Sequence, residues 1–411
     1  MLTTTKGSTL VGIGYSQQSV SFDAGVEIAT KALANDRLED NSLFMLFASP
    51  MHKVDELIAG LRTVVGANPD VVGCTTTGLV TSDFISYNGD LAGGLMISTK
   101  APFYKLFFVE NINDNEFEAG KSLAQRLKNA DIPEHSSLII YYDSIKATSV
   151  EGSPSLNLAT PILDGFHEVY KRWPTVAGIG TWSDINITMP CSVWINNTSK
   201  RHGLAAVSID NPITMDTVIL HGTRPIGQYH TITAAEQNII YGIDGKPALD
   251  LIDDLLGGSV PWEEFPLLIT LGVNSGDKFG EYKEEEYASR LCFAIDKEAK
   301  ALIMFENDLK VGMEFQLMQR SINFRYIKPQ VEKLLDKVKT RRPLAAFYID
   351  CLGRVSGFSG IPEEESLEVA NALKDIPFFG IFSGVEIANV GRHVKALDWT
   401  GVLCSVNLEI H

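Results

Sequence analysis

The sequence predicts an α/β fold of two domains, each a mixed sheet covered by helices, with an α+β arrangement as the alternative. Apolar runs typical of strands alternate with helical patterns along the chain, and one strand–helix–glycine loop–strand pattern occurs three times. Strands that are apolar along their whole length are typical of sheets covered by helices rather than of sandwiches. A length of 411 residues agrees with two domains.

Each copy of the repeat opens with an apolar run, passes through a helix, and reaches a glycine step that ends in small polar residues. The opening strands are predicted at 43–47, 138–142 and 345–349. The glycine steps lie at 71–76, 176–181 and 378–383, each preceded closely by a proline. The closing strands are predicted at 92–96, 203–207 and 401–404.

The helices follow from apolar residues that recur every three or four positions. In the clearest case Val54, Leu57, Ile58, Leu61 and Val65 lie on one face of a helix. The predicted helices cover residues 22–33, 54–65, 117–127, 159–170, 248–256, 331–338 and 367–373. Two more strands are expected at 267–272 and 290–295.

A domain boundary is expected where Asn211 and Pro212 break the chain after the second repeat. The predicted domains are therefore residues 1–212, which hold two repeats, and residues 213–411, which hold the third. Because motif loops occur in both domains, we expect the two to pack together with these loops facing inward.

The composition excludes several classes of protein. Hydrophobic residues make up 45% and charged residues 21%, as in ordinary folded chains. A net charge of -16 argues against general nucleic-acid binding, because such a surface repels phosphates. No apolar run reaches the roughly 18–20 residues of a membrane span. The N-terminus lacks the layout of a signal peptide, so we expect a cytoplasmic protein.

The cysteines are isolated, and the sequence contains no catalytic motif. Five cysteines without a CxxC pair argue against a disulfide framework and a zinc cluster, and we expect them to be reduced. Neither GxSxG, a Walker loop nor HExxH occurs, so the chain is not predicted to be an enzyme. A lesser alternative is an enzyme with Cys74 or Cys351 as nucleophile beside a histidine.

The glycine-step loops end strands at the edge where open α/β sheets bind ligands. The candidate ligand-binding residues are Cys74, Thr75, Thr76, Trp182, Asp184, Arg354, Ser383 and Glu386. In this interpretation Arg354 takes a carboxylate, Asp184 or Glu386 takes an amine, and Trp182 forms a wall. The alternative is structural: the hydroxyls bond their own backbone, Trp182 packs between layers, Asp184 caps a turn and Arg354 pairs with Glu386.

The loop motifs resemble those of the FIST family of sensory proteins. Residues 72–78 resemble the glycine–cysteine signature of its N-terminal domain, and 245–249, 351–354 and 383–387 resemble motifs of its C-terminal domain. Val385 stands where the family often has a second glycine, and 388–391 lacks the usual glycine–proline. The resemblance implies a signal-input module for small ligands, with amino acids as proposed ligands. Some members bind haem, respond to nitric oxide and regulate a histidine kinase.

Our prediction is a stand-alone cytoplasmic sensory protein that binds a small ligand, with an amino acid as a candidate, and signals to a separate partner. No cofactor is expected in this interpretation. The alternative is a haem-binding nitric-oxide sensor that regulates a histidine kinase. Its axial ligand would be one of His52, His202, His221 and His393. The sequence leaves open the ligand, the partner and the oligomeric state.

Overall fold

The computed structural model describes residues 9–34, 36–133, 135–152, 154–184, 186–321 and 323–410. It consists of three units of similar connectivity and one barrel inserted into the third unit. The helix-covered mixed sheets confirm the predicted α/β class. Among the described residues, none of the helices is long and apolar enough to cross a membrane.

The first unit has a four-stranded core in the order β1-β6-β2-β3, in which β2 and β3 are parallel. Its elements are β1 (Thr9–Ser16), α1 (Ser21–Leu33), β2 (Asn41–Ala48), α2 (Val54–Val65), β3 (Asp70–Thr75), β4 (Leu79–Thr81), β5 (Ile85–Ser86) and β6 (Ala92–Thr99).

The second unit repeats this core in the order β7-β14-β8-β11. Its elements are β7 (Tyr104–Val109), α3 (Glu116–Asn129), β8 (Ser137–Tyr142), β9 (Ile145–Ala147), β10 (Ser155–Leu156), α4 (Ala159–Val169), β11 (Val176–Gly180), β12 (Val193–Ile195), β13 (Thr198–Lys200) and β14 (Leu204–Ile209).

The third unit begins with β15 (Ile213–Leu220) and is interrupted by the barrel. The elements of the barrel segment are β16 (Thr223–Glu236), β17 (Ile239–Ile243), β18 (Lys246–Pro247), α5 (Ala248–Leu255), β19 (Thr270–Asn274), β20 (Tyr287–Asp296), β21 (Ala301–Met304) and β22 (Glu314–Arg320). The strands β16, β22, β19, β20, β21 and β17 close into a ring of antiparallel neighbours.

The third unit resumes after the barrel and completes the core order β15-β27-β23-β24. Its remaining elements are α6 (Ile327–Lys337), β23 (Arg342–Cys351), α7 (Ser356–Ser359), α8 (Glu365–Leu373), β24 (Phe378–Ser383), β25 (Val385–Val390), β26 (His393–Leu397) and β27 (Gly401–Leu408).

Each unit contributes a hairpin to the sheet of another unit. The hairpin β12–β13 of the second unit extends the first sheet beside β3, and β25–β26 of the third unit extends the second sheet beside β11. The hairpin β4–β5 of the first unit extends the third sheet beside β24. Two of the three sheets therefore combine strands from before and after residue 212. The domain boundary at residue 212 stays a prediction.

The three sheets enclose a common apolar core to which each unit contributes an aromatic ring. The ring of Phe47 from β2 lies 5.6 Å from that of Phe347 on β23 and 6.1 Å from that of Tyr141 on β8. All three side chains are buried. The helices cover the outer faces of the sheets, as the sequence predicts.

Paired glycines let helices of the first two units pack with their backbones in contact. A Cβ atom on Gly25 of α1 would lie 2.0 Å from the carbonyl oxygen of Leu57, and one on Gly60 of α2 would lie 1.9 Å from that of Phe22. Gly120 and Gly165 form the same reciprocal contact between α3 and α4. Any larger residue would force these helices apart.

The predicted strand at 267–272 is wrong in its first half. Residues 266–268 form a turn, and the N–H groups of Leu268 and Ile269 both bond the carbonyl of Phe265. The strand begins only at Thr270. The other predicted strands and helices lie at the expected places.

Candidate functional site

The three glycine-step loops meet one another directly. The hydroxyl of Thr76 donates to the carbonyl of Phe382 at 2.7 Å, and that of Thr77 donates to the carbonyl of Trp182 at 3.1 Å. The N–H of Gly384 donates to the carbonyl of Gly180 at 3.0 Å. The carboxyl ends of β3, β11 and β24 thus come together, as the inward-facing loops in the prediction require.

Most polar groups of these loops bond the protein itself, although Glu386 Oε2 is buried without a hydrogen-bond partner. Thr75 bonds Ser192 in both directions, and the Ser383 hydroxyl donates to Glu386 Oε1 at 2.7 Å. Asp184 accepts bonds from the N–H groups of Asn186, Thr188 and Met189 and from the Thr188 hydroxyl. Partial burial opposes ionisation, but these bonds lower the pKa of Asp184 overall. The geometry is that of a turn cap.

Trp182 packs against the backbone of the third loop. A Cβ atom on Gly384 would lie 2.1 Å from the Trp182 ring, so only glycine fits beneath the indole. Phe305 of the barrel segment also lies beside the indole of Trp182, with ring centroids 6.4 Å apart. Trp182 therefore joins two loops to the barrel.

Arg354 does not pair with Glu386, and the prediction of that pair is wrong. Its side chain is buried and forms an ion pair with Glu365 at the start of α8. It also donates to the carbonyls of His221 and Trp399 and to the Tyr326 hydroxyl. Glu386 instead turns toward Ser383, on the strand that precedes it.

Asp350 contributes less than Glu365 to the neutralisation of Arg354. Its Oδ1 atom lies 3.1 Å from Arg354 Nε without the alignment of a hydrogen bond. Burial raises the pKa of Asp350 to about 8, although Arg354 acts against this. Both terminal nitrogens of Arg354 thus bond groups of the protein: Nη1 bonds the carbonyls of His221 and Trp399, and Nη2 bonds Tyr326 and Glu365. This favours a structural role for Arg354 over a role in binding a ligand.

A small cavity lies beside this ion pair, where the barrel meets the third unit. It has a volume of about 110 Å³ and is lined by residues that include Arg320, Tyr326, Arg354, Glu365 and Trp399. Of the eight candidate site residues, Arg354 alone lines it. It shares Arg320 and Tyr326 with an open cleft of about 970 Å³. We call the first the inner cavity and the second the outer cleft.

Arg320, which no sequence motif indicates, is the second arginine of the inner cavity, and like Arg354 it has a buried Nε without a hydrogen-bond partner. Its guanidinium carbon lies 3.4 Å from the centroid of the Trp399 ring. One terminal nitrogen donates to the carbonyl of Leu267 and to the Thr270 hydroxyl, but the buried Nε atom has no partner. No carboxylate among the described residues lies within ion-pair distance. Burial lowers the pKa of Arg320 to about 10, and the nearby Arg354 acts in the same direction.

A further cleft of about 720 Å³ lies at the opposite end of the second unit, near Lys128, Lys171 and Trp173. Lys128 lies in the last turn of α3, and Lys171 follows the end of α4. Helix C-termini carry partial negative charge, which offsets these cations and disfavours an anion there. The inner cavity is lined by two arginines and by Glu365, the first residue of α8, and of helix C-termini only the four-residue α7 reaches it, at Ser359, among the described residues. We therefore consider it the candidate site.

The arrangement of the histidines does not fit haem. The N–H of Thr223 donates to His221 Nδ1, so Nε2 carries the proton and donates to the Glu284 carbonyl. His393 is exposed on β26, and His202 bonds Asn157 through Nδ1. His52 has a free buried Nε2 but lines neither the inner cavity nor the outer cleft. In the described residues, none of the four pairs a free nitrogen with a cavity of porphyrin size.

The cysteines do not resemble catalytic nucleophiles. All five are buried and unpaired, which confirms the prediction that they form no disulfide. Burial raises the pKa of Cys74 and of Cys351 well above the usual value. The thiolate is the reactive form, so burial makes both side chains unreactive.

Comparison with known protein families gives two matches along the chain. Residues 42–246 match the FIST N domain and residues 248–389 match the FIST C domain. An uncharacterized protein of Mycobacterium tuberculosis is 24% identical over 183 residues, which are 43% of this chain and 47% of that protein. An uncharacterized protein of Mycobacterium bovis is also 24% identical, over 43% of this chain and 46% of that protein. This chain thus matches about half the length of these relatives.

A solved structure that aligns with nearly the whole chain resembles it only weakly. Phosphoribosylformylglycinamidine synthase II from Thermotoga maritima has a TM-score of 0.23 and 10% identity, over 99% of this chain and 73% of that one. A similarity this low supports no conclusion about fold. The two family matches cover most of the chain in the expected order. The chain belongs to the FIST family, whose N and C domains are small-ligand sensory domains of signalling proteins rather than catalytic ones.

Proposed function

We propose that this protein senses a small carboxylate, with amino acids among the candidates, and binds the carboxylate group on Arg320 in the inner cavity. The observation that supports this is the guanidinium of Arg320, which is largely buried against Trp399 and, unlike that of Arg354, has no carboxylate partner among the described residues. An unpaired buried charge is unfavourable, and a ligand carboxylate would relieve this. Arginine also offers the planar fork that matches a carboxylate.

The position of the cavity suggests how binding is transmitted. Arg320 ends the barrel strand β22, whereas Trp399 and Tyr326 belong to the third unit. A ligand between them would favour conformations in which the barrel and the third unit are held together. We propose that this change is read by a separate partner protein, with a histidine kinase as the candidate that the family suggests.

We also propose a cytoplasmic location and no bound cofactor. The unpaired cysteines are typical of a reducing compartment. The histidine geometry favours a metabolite over haem as the signal. Nε2 of His221 would have to be free to bind the haem iron, but it carries a proton and donates it to the Glu284 carbonyl.

The test is a thermal-shift and calorimetric screen of the purified protein with amino acids and simple carboxylates. A ligand at 100 times its Kd stabilises the fold by about 2.7 kcal/mol, which a melting curve detects. Arg320→Gln should abolish binding and Arg320→Lys should restore part of it, whereas Arg392→Gln on the exposed surface should bind normally. Circular dichroism checks that each variant folds. Unchanged binding by a folded Arg320→Gln protein would overturn the proposal.

A further inference from the structure

The outer cleft contains more cations than its own acids neutralise. Lys283 pairs with Glu286 at 3.0 Å, and Lys333 pairs with Glu285. Glu284 is occupied by the N–H groups of His221 and Gly222 and by Gln330. These pairs leave no acid of the cleft for the arginines that also line it.

Arg224 and Arg325 line the outer cleft without a carboxylate partner among the described residues. Arg224 lies on β16 of the barrel, with its guanidinium 5.9 Å from the Tyr282 ring centroid. Arg325 lies in the segment that leads into α6 of the third unit. The barrel wall and the third-unit wall thus each present one unpaired arginine.

The inner cavity opens into the floor of this cleft, since Gly222, Arg320, Ser321 and Tyr326 line both. The inner cavity, at about 110 Å³, has room for a small head group only. The rest of a bound ligand must therefore extend into the outer cleft, which Arg224 and Arg325 also line.

We propose that the ligand is a small organic dianion, with one acidic group on Arg320 and a second acidic group between Arg224 and Arg325. This inference rests on the proposed function and specifies the ligand class of the same site. The net charge of -16 repels dianions in general, so a preference for them has to arise from local cations. A dicarboxylate carries two charges at neutral pH and a phosphorylated carboxylate between two and three, and both have the second acidic group that this site requires.

The experiment compares matched pairs of probes by calorimetry on the full chain: succinate with butyrate, and 3-phosphoglycerate with glycerate. Succinate and 3-phosphoglycerate, which have the second acidic group, should each bind about tenfold or more tightly than the partner that lacks it, the value of one additional charged hydrogen bond. Preference within the first pair only identifies a dicarboxylate, and preference within the second only identifies a phosphorylated acid.

The double variant Arg224→Gln/Arg325→Gln should reduce the ratio of the two Kd values to near one and leave the monoanion Kd unchanged. The control Arg37→Gln/Arg392→Gln removes the same charge from exposed positions outside the cleft and should keep the ratio. Equal binding of dianion and monoanion by the native protein would overturn this inference and leave the proposed function standing. Absence of binding by every carboxylate would overturn the proposed function itself.

Discussion

Glu306 of the barrel segment caps the first turn of α4 in the second unit, where its Oε2 accepts the N–H of Thr160 at 2.9 Å. Its Oε1 accepts the N–H of Ala159 at 3.0 Å. A carboxylate at a helix N-terminus meets unpaired N–H groups and a favourable dipole. The residue is nevertheless fully buried, and burial raises its pKa to about 7 from an ordinary value of 4.5. This contact therefore ties the barrel to the second unit in a pH-dependent way.

The raised pKa predicts the direction of that dependence. Because the folded state favours protonated Glu306, its contribution to stability is greatest below about pH 4.5 and decreases as the pH rises to about 7. The full decrease is roughly 3 kcal/mol at 1.36 kcal/mol per pKa unit. Urea unfolding at pH 5 and pH 8 should show a smaller loss of stability in Glu306→Gln than in the native protein. The exposed Glu298→Gln should behave like the native protein, and equal losses in all three would contradict the assignment.

Arg354→Ala should destabilise the protein strongly. The substitution leaves Glu365 buried without its counter-charge and removes the bonds to Trp399 and His221. Loss of one member of a buried ion pair costs about 3–5 kcal/mol. The measurement is the free energy of unfolding in urea, with Arg392→Ala as the exposed control. A stable Arg354→Ala protein that no longer binds carboxylates would show that Arg354, and not Arg320, holds the ligand.

The five cysteines should resist alkylation in the native protein. All are buried, and for Cys74 and Cys351 burial raises the pKa of the thiol. Mass spectrometry after iodoacetamide at pH 7 should find no adduct on the native chain and modification of every cysteine in guanidinium. Rapid modification of Cys74 or Cys351 alone would support the enzyme with a cysteine nucleophile.

Haemin should not form a defined complex with this protein. The Nε2 proton of His221 is committed to the Glu284 carbonyl, and the inner cavity beside it has a volume of about 110 Å³. Titration should therefore give no saturable Soret shift at one haem per chain. If such a band appears, alanine substitution of His52, His202, His221 and His393 in turn would identify the ligand, with His52 first because its Nε2 is free.

Local patterns in the sequence predicted the strands and helices because each pattern lies within one element. The apolar face from Val54 to Val65 coincides with α2. The partners across the chain were not predictable in this way. The strands β4 and β5 have 3 and 2 residues, too few to indicate which sheet they join.

The candidate site was harder to predict, for the same reason. The run 363–365 has the sequence of a solvated helix start, yet only the fold shows that Glu365 turns inward to Arg354. Arg320 follows no motif at all. Arg320 lies over Trp399 and away from carboxylates because β22 packs against the loop before β27, and these two segments are far apart in the chain. The glycines that join α1 to α2 were a usable signal, since they recur in the second unit.

The exchanged hairpins interlock the three units, because the sheet of each unit is completed by strands of another. If the chain were cut near residue 212, the first piece would hold a sheet that lacks β25–β26, and the second would hold one that lacks β4–β5. Each fragment would expose the bare strand edge that the other fragment is shaped to cover. The two pieces would thus be complementary halves that recover the native assembly only together. Displacement of any one of these hairpins would therefore disturb the unit that supplies it and the unit whose sheet it completes.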